Sequence, residues 1–426
     1  MNLSHKINNF VNQNNVFLSK FRKVLSLMLP LVAFNSLTLH SAKDEARHDS
    51  LGSHSLIHSL GVVAGADYVA SSAGDEIREE ILPGDKIKIN SSIPLSLRYS
   101  LSFTNPEIPH YLPGGYQGIS IGVLNPGGLQ GRGIERASNN IGYPVLAYIF
   151  QGGPFHRFNS RVSLDYEWNF GAAFGWKPYS ESNKNCNLAV GSRVNAYLNL
   201  GMNVSWSLNR NISLFGGVAV SHFSNGNTSF PNPGVNSFGL RIGMMYTLNP
   251  LDHDFPQAVK DTTRKRKLEY DIMGWGATRK RLYRGLDPPV LLPGHYACAG
   301  ISFSPMVRLN DWWRVGGSLD LQWDHSSGLK RYYISGETTD DIKFSRQAFL
   351  RQATVGISAH AELRMPVFAV NVGCGYNLVA PWENRGTYQN IALKVYLWKG
   401  LFLNIGYQLR NFQQQSSLML GAGVTV

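Results

Sequence analysis

The sequence is short of charge, cysteine and long apolar runs. Charged residues make up only 16% of its 426 positions, against the roughly 25% of an ordinary soluble domain. Cys186, Cys298 and Cys374 are the only cysteines and lie far apart, which excludes a disulfide scaffold. Beyond the N-terminal region no segment offers the ~20 consecutive apolar residues of a membrane helix, which excludes a helical membrane protein. Acids are the scarcer sign, 28 against 40 Lys and Arg, for a net charge of +12. Aromatic residues are abundant instead, with 19 Tyr, 21 Phe and 9 Trp, together with 43 Gly. Mean hydropathy is nonetheless near neutral at −0.16. A soluble all-β protein and a membrane β-barrel both fit these figures, and the patterning has to choose.

The first 23 residues hold Lys6, Lys20, Arg22 and Lys23 and no acid, and residues 24–34 then form a short apolar run. A basic start, an apolar stretch too short to span and small residues near Ala42 read as a secretory signal peptide over 1–42. Removing it leaves a charge of +8.

Period-2 alternation then recurs along the chain. Val162, Leu164, Tyr166, Trp168 and Phe170 alternate with Arg161, Ser163, Asp165, Glu167 and Asn169. Phe238, Leu240, Ile242, Met244 and Tyr246 do the same over 237–248, and so do Leu403, Ile405, Tyr407 and Leu409 near the C-terminus. Successive side chains of a strand point to opposite faces, so each segment has one apolar and one polar side. The polar sides mix Arg, Asp, Glu, Asn and Gly, as a wet lumen does, and the apolar sides are rich in large aromatics. With a signal peptide, this favours an outer-membrane barrel over a soluble sandwich, because only a closed sheet satisfies its backbone in lipid. The stretch 188–208 keeps one parity for about 70 Å, far beyond a membrane strand of ~9–11 residues. It is two strands, or one long strand bent at Gly201. The expectation is an all-β fold: a single transmembrane antiparallel barrel over 43–426 with about 14 strands (about 12–16).

Two regions depart from this texture. Residues 260–284 hold nine basic side chains and three acids, read as the solvated ends of a strand near 267–277. Asp324, His325 and Ser326 read as a solvated turn. Neither suggests nucleic-acid binding, and no metal or cofactor site is proposed.

The chemically distinctive segment is 218–236. Val218, Val220, His222 and Ser224 share one strand face, which puts His222 and Ser224 ~7 Å apart along the strand. Asn236 has the parity of Phe238 and Leu240 on the next strand. All three polar groups therefore fall on the lipid-facing side, where polar groups cost free energy unless partnered. A mutually bonded Ser–His–Asn set explains them: Ser224 as nucleophile, His222 as its base, Asn236 fixing the imidazole tautomer. An amide cannot stabilise the imidazolium as a carboxylate does, so turnover should be modest. Asn225, Gly226 and Asn232 are candidate oxyanion donors, and Val218, Val220, Phe238 and Leu240 a candidate acyl-chain surface. The plain alternative is a hairpin loop whose Asn, Gly and Pro serve only the turn.

The residues His222 to Asn225, Gly234 and Asn236, with Pro231, Asn232 and Pro233 between them, resemble the active-site motif of the lipid A 3-O-deacylases, outer-membrane esterases whose relatives are termed acyloxyacyl hydrolases. Gly142, Tyr143 and Pro144, the run from Gly175 to Tyr179, and the run from Gly191 to Tyr197 are similar to that family as well. The resemblance is specific over 140–248 and looser over 265–426. It implies an esterase acting on lipid A of lipopolysaccharide in the outer leaflet, with His222 and Ser224 catalytic and Asn225 and Asn232 near the oxyanion. Well-known members carry Glu where this chain has Asn236, which changes the triad's electrostatics and leaves its geometry. The motif also resembles that of outer-membrane phospholipase A, a calcium-dependent dimer, and a passive barrel is the reading from a different class. The oligomeric state, homodimer included, stays open.

Overall fold

In the computed structural model, the residues described are 56–71, 88–106, 110–127, 129–130, 141–178, 189–230, 232, 234–251, 255–256, 267–283, 290–292, 294–332, 343–345, 347–381, 384–398, 400–412 and 414–426. The signal peptide, Cys186, residues 260–266 and Arg284 of the basic run, and Pro231 and Pro233 lie outside them. Sixteen long strands dominate. The first eight are β1 (Leu56–Ser71), β2 (Ser91–Phe103), β3 (Tyr116–Pro126), β4 (Gly142–Arg157), β5 (Val162–Trp176), β6 (Val194–Ser207), β7 (Ile212–Ser224) and β8 (Val235–Thr247). The second eight are β9 (Leu268–Arg279), β10 (Tyr296–Arg308), β11 (Trp313–Asp324), β12 (Ala353–Arg364), β13 (Phe368–Val379), β14 (Gly386–Trp398), β15 (Leu401–Arg410) and β16 (Gln414–Thr425).

These strands close as two barrels of eight, not as one barrel of about 14. Each is an antiparallel meander. β1 pairs with β8 to seal the first, from Ser59 opposite Thr247 to Ser71 opposite Asn236. β9 pairs with β16 to seal the second. The physical reason is that closure is a backbone matter. Alternation says that a strand has two faces; which strand takes up its open edge is decided by ladder hydrogen bonds, which carry no side-chain signature. The 188–208 stretch is likewise simpler than expected: one strand begins at Val194, preceded by irregular chain at 189–193.

Alternation maps onto inside and outside as the sequence implies. In the first barrel Asp165, Glu167 and Asn169 are buried in the lumen, while Val218, Phe238, Leu240 and Ile242 are exposed on the outer wall. An eight-stranded barrel is just wide enough for side chains to fill. Here Arg98 donates to both carboxylate oxygens of Glu167 at 2.9 and 2.8 Å and lies 4.2 Å from the centroid of Phe150. The second lumen is packed by charges of both signs. Arg314 donates to Glu269, Asp271 and Glu362, and Lys394 donates to Asp271 and Glu362, each at 2.7 Å. Its outer wall is apolar again, with Ile301, Leu321, Ile357 and Leu378 exposed.

Each solvated reading is corrected in part within the second barrel: Lys267 is exposed as expected, and residues 325–328 form a turn, but Arg279 and Ser326 are not solvated. Arg279 is buried and pairs with Asp324. Asp324 Oδ1 accepts from the Ser326 hydroxyl at 2.7 Å, and Ser326 and Ser327 are fully buried. The alternation places Arg279 on the lumen face, but its partner is set by the fold.

Loop length distinguishes the two ends of the first barrel. At one end the strands are joined through 72–90, 127–141, 177–193 and 225–234; at the other through 104–115, 158–161 and 208–211. The residues 222–236 lie at the long-loop end.

Candidate active site

Strand β7 ends at Ser224 because Gly226 and Asn227, at φ 63° and 67°, turn the chain in the left-handed region that Gly and Asn tolerate best. β8 resumes at Val235, and its register places Asn236 directly opposite His222. Cross-strand partners hold their Cβ atoms ~5 Å apart on one face, which is the span an imidazole and an amide need to meet. His222 Nδ1 lies 2.6 Å from Asn236 Oδ1, and His222 Nε2 lies 2.9 Å from Ser224 Oγ. An amide oxygen only accepts, so Nδ1 carries the proton and Nε2 is left bare to accept from the serine hydroxyl. The three residues expected to meet do meet, in the tautomer that a general base requires.

The neighbours of opposite parity confirm which face this is. Ser221 and Ser237 are buried in the lumen, where Ser221 Oγ accepts from Asn199 Nδ2 at 2.8 Å. On the outer face, Phe238 stands opposite Val220 and Leu240 opposite Val218. All four are more than half exposed, and Tyr68 packs on Phe238 with 5.4 Å between ring centroids.

The loop is braced from within. Asn225 and Asn232 are both buried, and the Asn225 backbone N–H donates to Asn232 Oδ1 at 2.9 Å. That N–H is therefore engaged. Gly226 enters as the turn residue. Gly234 has φ 79°, and a Cβ there would stand 2.9 Å from His222 Cε1. Glycine is thus required twice over, by the backbone and by the ring it approaches.

Three segments singled out in the sequence converge behind this strand end. Gly142 pairs with Trp176. Trp176 meets Phe223 edge-on at 5.5 Å, and Tyr197 stacks on Phe223 at 5.0 Å. These rings close the core beneath the loop and pin Phe223, between His222 and Ser224 in sequence.

A second Ser–His–Asn grouping, missed in the sequence because its order is reversed, lies in the lumen of the second barrel. Ser358 Oγ is 2.8 Å from His360 Nε2, and His360 Nδ1 is 2.7 Å from Asn371 Oδ1. It differs in one decisive partner. The Ser358 hydroxyl also donates to Asp320 Oδ2 at 2.7 Å, and a carboxylate can only accept. The serine proton is directed to Asp320 rather than to the ring, so Ser358 is not set up as a nucleophile.

Two family models match the chain, one within the first barrel from the end of β3 to β8 and one over the second barrel. Lipid A 3-O-deacylase (PagL) matches residues 125–245. Acyloxyacyl hydrolase, C-terminal domain, matches 268–426, starting on the first residue of β9. No curated protein matches the sequence. Among solved structures, BamA from Haemophilus ducreyi lacking POTRA domains 1–3 is 12% identical, covering 86% of this chain and 70% of its own at a TM-score of 0.19. A Rhodopseudomonas blastica porin triple mutant is 10% identical, covering 87% of this chain and 100% of its own at a TM-score of 0.13. With the motif, the barrel and both family matches in agreement, the chain belongs to the lipid A 3-O-deacylase and acyloxyacyl hydrolase family of outer-membrane ester hydrolases.

Proposed function

We propose that this hydrolase removes an ester-linked acyl chain from lipid A, at the 3-O position named for its family, using Ser224, His222 and Asn236 from the outer-leaflet side of the membrane. The observation that carries this reading is the unbroken Ser224–His222–Asn236 relay on the lipid-facing surface. The serine oxygen attacks the ester carbonyl as its proton passes to His222 Nε2, and Asn236 Oδ1 holds the ring through Nδ1–H. The Asn232 amide is the proposed donor to the tetrahedral oxyanion. Collapse expels the sugar hydroxyl, which takes the proton from His222, and leaves an acyl-enzyme. Water, deprotonated by the same imidazole, then releases the fatty acid and restores Ser224.

Orientation is supported by loop length, since barrels of this kind place short turns in the periplasm and longer loops outside. On that reading Ser224 lies level with the outer leaflet, and Val218, Val220, Phe238 and Leu240 present apolar surface to acyl chains diffusing laterally. The lumen packing around Arg98 and Glu167 gives no support to a passive pore.

The test is incubation of the purified protein with lipopolysaccharide and, separately, with phospholipid, the products being weighed by mass spectrometry. Loss of one hydroxyacyl chain from lipid A, abolished by Ser224→Ala, is the expected result. Undiminished deacylation by both Ser224→Ala and His222→Ala would dismiss the relay. Calcium-dependent release of lysophospholipid would assign a phospholipase instead.

A further inference from the structure

The outer face that carries the relay is flanked by Val218, Val220, Phe238 and Leu240, all exposed toward lipid. Fluid acyl chains do not hold a side chain in one geometry, so the restraint on the relay has to come from the lumen side. The same strands supply one there. Ser221 precedes His222, Ser237 follows Asn236, and the two serines stand opposite each other across β7 and β8. Around them Asp67 of β1, Arg241 of β8, Ser221 of β7 and Asn199 of β6 form a hydrogen-bonded crossbar over four neighbouring strands. Arg241 grips the Asp67 carboxylate with both ends of its fork, Nη1 on Oδ1 and Nη2 on Oδ2, the latter at 3.1 Å. The same Nη2 group donates to Ser221 Oγ at 3.2 Å, and Asn199 Nδ2 donates to that oxygen at 2.8 Å. Ser237 Oγ reaches Asp67 Oδ2 at 3.5 Å. All five side chains are buried.

The backbone is cleared for this crossbar. Gly239 stands opposite Asp67, and Gly65 opposite Arg241. A Cβ on Gly239 would lie 2.3 Å from Asp67 Oδ1, and one on Gly65 2.6 Å from Arg241 Nη1. A side chain at either position would displace the ion pair, which accounts for glycine inside both strands. Ser221 Oγ, for its part, is held by one donor from each flanking strand, and this sets the pleat of β7 at that point. The next side chain leaves from the opposite face of the pleat, so the tilt at Ser221 decides where the two ring nitrogens of His222 fall. Their contacts to Asn236 and Ser224, at 2.6 and 2.9 Å, leave little slack.

We propose that Arg241, Asp67 and Ser221 are positioning residues for the Ser224–His222–Asn236 relay, acting through the backbone of β7 and touching no substrate. Their role rests on the proposed deacylase reading and supplies the rigid support that a reacting set needs behind it. A lysine in place of Arg241 retains the positive charge opposite Asp67, but without the planar fork it cannot hold Ser221 as well. Charge pairing and alignment are therefore separable.

The test uses the full-length protein in detergent micelles, with two readouts: turnover of lipopolysaccharide, and the rate at which a fluorophosphonate labels Ser224. Ser221→Ala and Arg241→Lys are compared with wild type and with Ser205→Ala. The last removes a different lumen contact of the same barrel, Ser205 Oγ to Asp165 Oδ2 at 2.6 Å. Heat-modifiable gel mobility verifies closure, and urea midpoints report stability. Ser221→Ala and Arg241→Lys should each lower kcat and the labelling rate about tenfold with KM unchanged, as a catalytic group displaced by a fraction of an ångström does. Ser205→Ala should keep wild-type kcat whatever its urea midpoint. Wild-type kcat and labelling in closed Ser221→Ala and Arg241→Lys barrels would overturn the positioning role, and so would an equal loss in Ser205→Ala. A wild-type protein that neither deacylates lipopolysaccharide nor reacts at Ser224 would overturn the deacylase reading instead.

Discussion

At the scale of single residues, the departure of interest is an amide where well-known relatives of this family have a carboxylate. Asn236 can orient His222 through its 2.6 Å contact, yet it adds no negative charge to balance the imidazolium formed during attack. Two substitutions separate orientation from charge. Asn236→Leu removes both and should lower kcat by about a hundredfold, whereas Asn236→Asp should raise it by about tenfold. Steady-state rates on lipopolysaccharide decide the matter, and an Asp variant slower than the Leu variant would contradict it. Ser224→Ala and His222→Ala should each cost ~10³-fold or more, with the double variant little worse than either, because the pair acts as a unit. Gly234→Ala is expected to lower activity by displacing the His222 ring, at a stability cost of ~1–2 kcal/mol for a left-handed Ala. Comparing kcat with the urea midpoint of the same variant shows whether activity falls further than folding.

Among the strands, the site depends on register more than on any loop. The pairing of β7 with β8 brings His222 to Asn236, and a slip of one residue would turn either side chain into the lumen. A lumen contact spans that pair, Arg241 of β8 donating to Ser221 Oγ of β7 at 3.2 Å, and buried charges tie other strands of the same barrel. Arg98 joins β2 to β5 through Glu167 while both groups are almost fully buried. Removing one partner leaves the other charged and unpaired, which costs ~3–5 kcal/mol. Glu167→Leu should therefore lower the unfolding midpoint of the first barrel markedly, and Arg98→Met combined with Glu167→Leu should recover much of the loss. Urea unfolding followed by heat-modifiable mobility reads both. Ser358→Ala, by contrast, should leave deacylation unchanged, since Asp320 already takes the proton of that hydroxyl. A large loss in that variant would give the second grouping a role in catalysis.

Taken as a whole, the molecule is two closed sheets, each with a polar interior and an apolar exterior. Because β1 seals against β8 without any strand of the second barrel, the backbone of the first is satisfied by its own strands. The prediction is that a chain ending at residue 259 still inserts as a heat-modifiable barrel and retains Ser224-dependent deacylation. Failure to close would show that the second barrel is needed for folding. The opening scarcity of charge also acquires an explanation at this scale. Sixteen strands divide their residues between lipid and lumen, and lumen charges such as Arg98 with Glu167, Arg279 with Asp324, and Arg314 and Lys394 with Asp271 and Glu362 are opposed, so few are spent on a solvated surface.

Fold class, strand positions and the shared face of His222, Ser224 and Asn236 were legible because each is local. Alternation of apolar and polar residues is a direct consequence of strand geometry, and His222, Ser224 and Asn236 share a face by parity alone. Local pattern alone thus specifies a Ser–His–Asn set on the outward face of a β-barrel. What it did not carry was pairing. Whether sixteen strands close once or twice, whether Asn236 lies opposite His222 and where Asp324 finds Arg279 are all matters of which backbone edge meets which. Those contacts are made by N–H and C=O groups common to every residue, so only the tertiary structure could decide them.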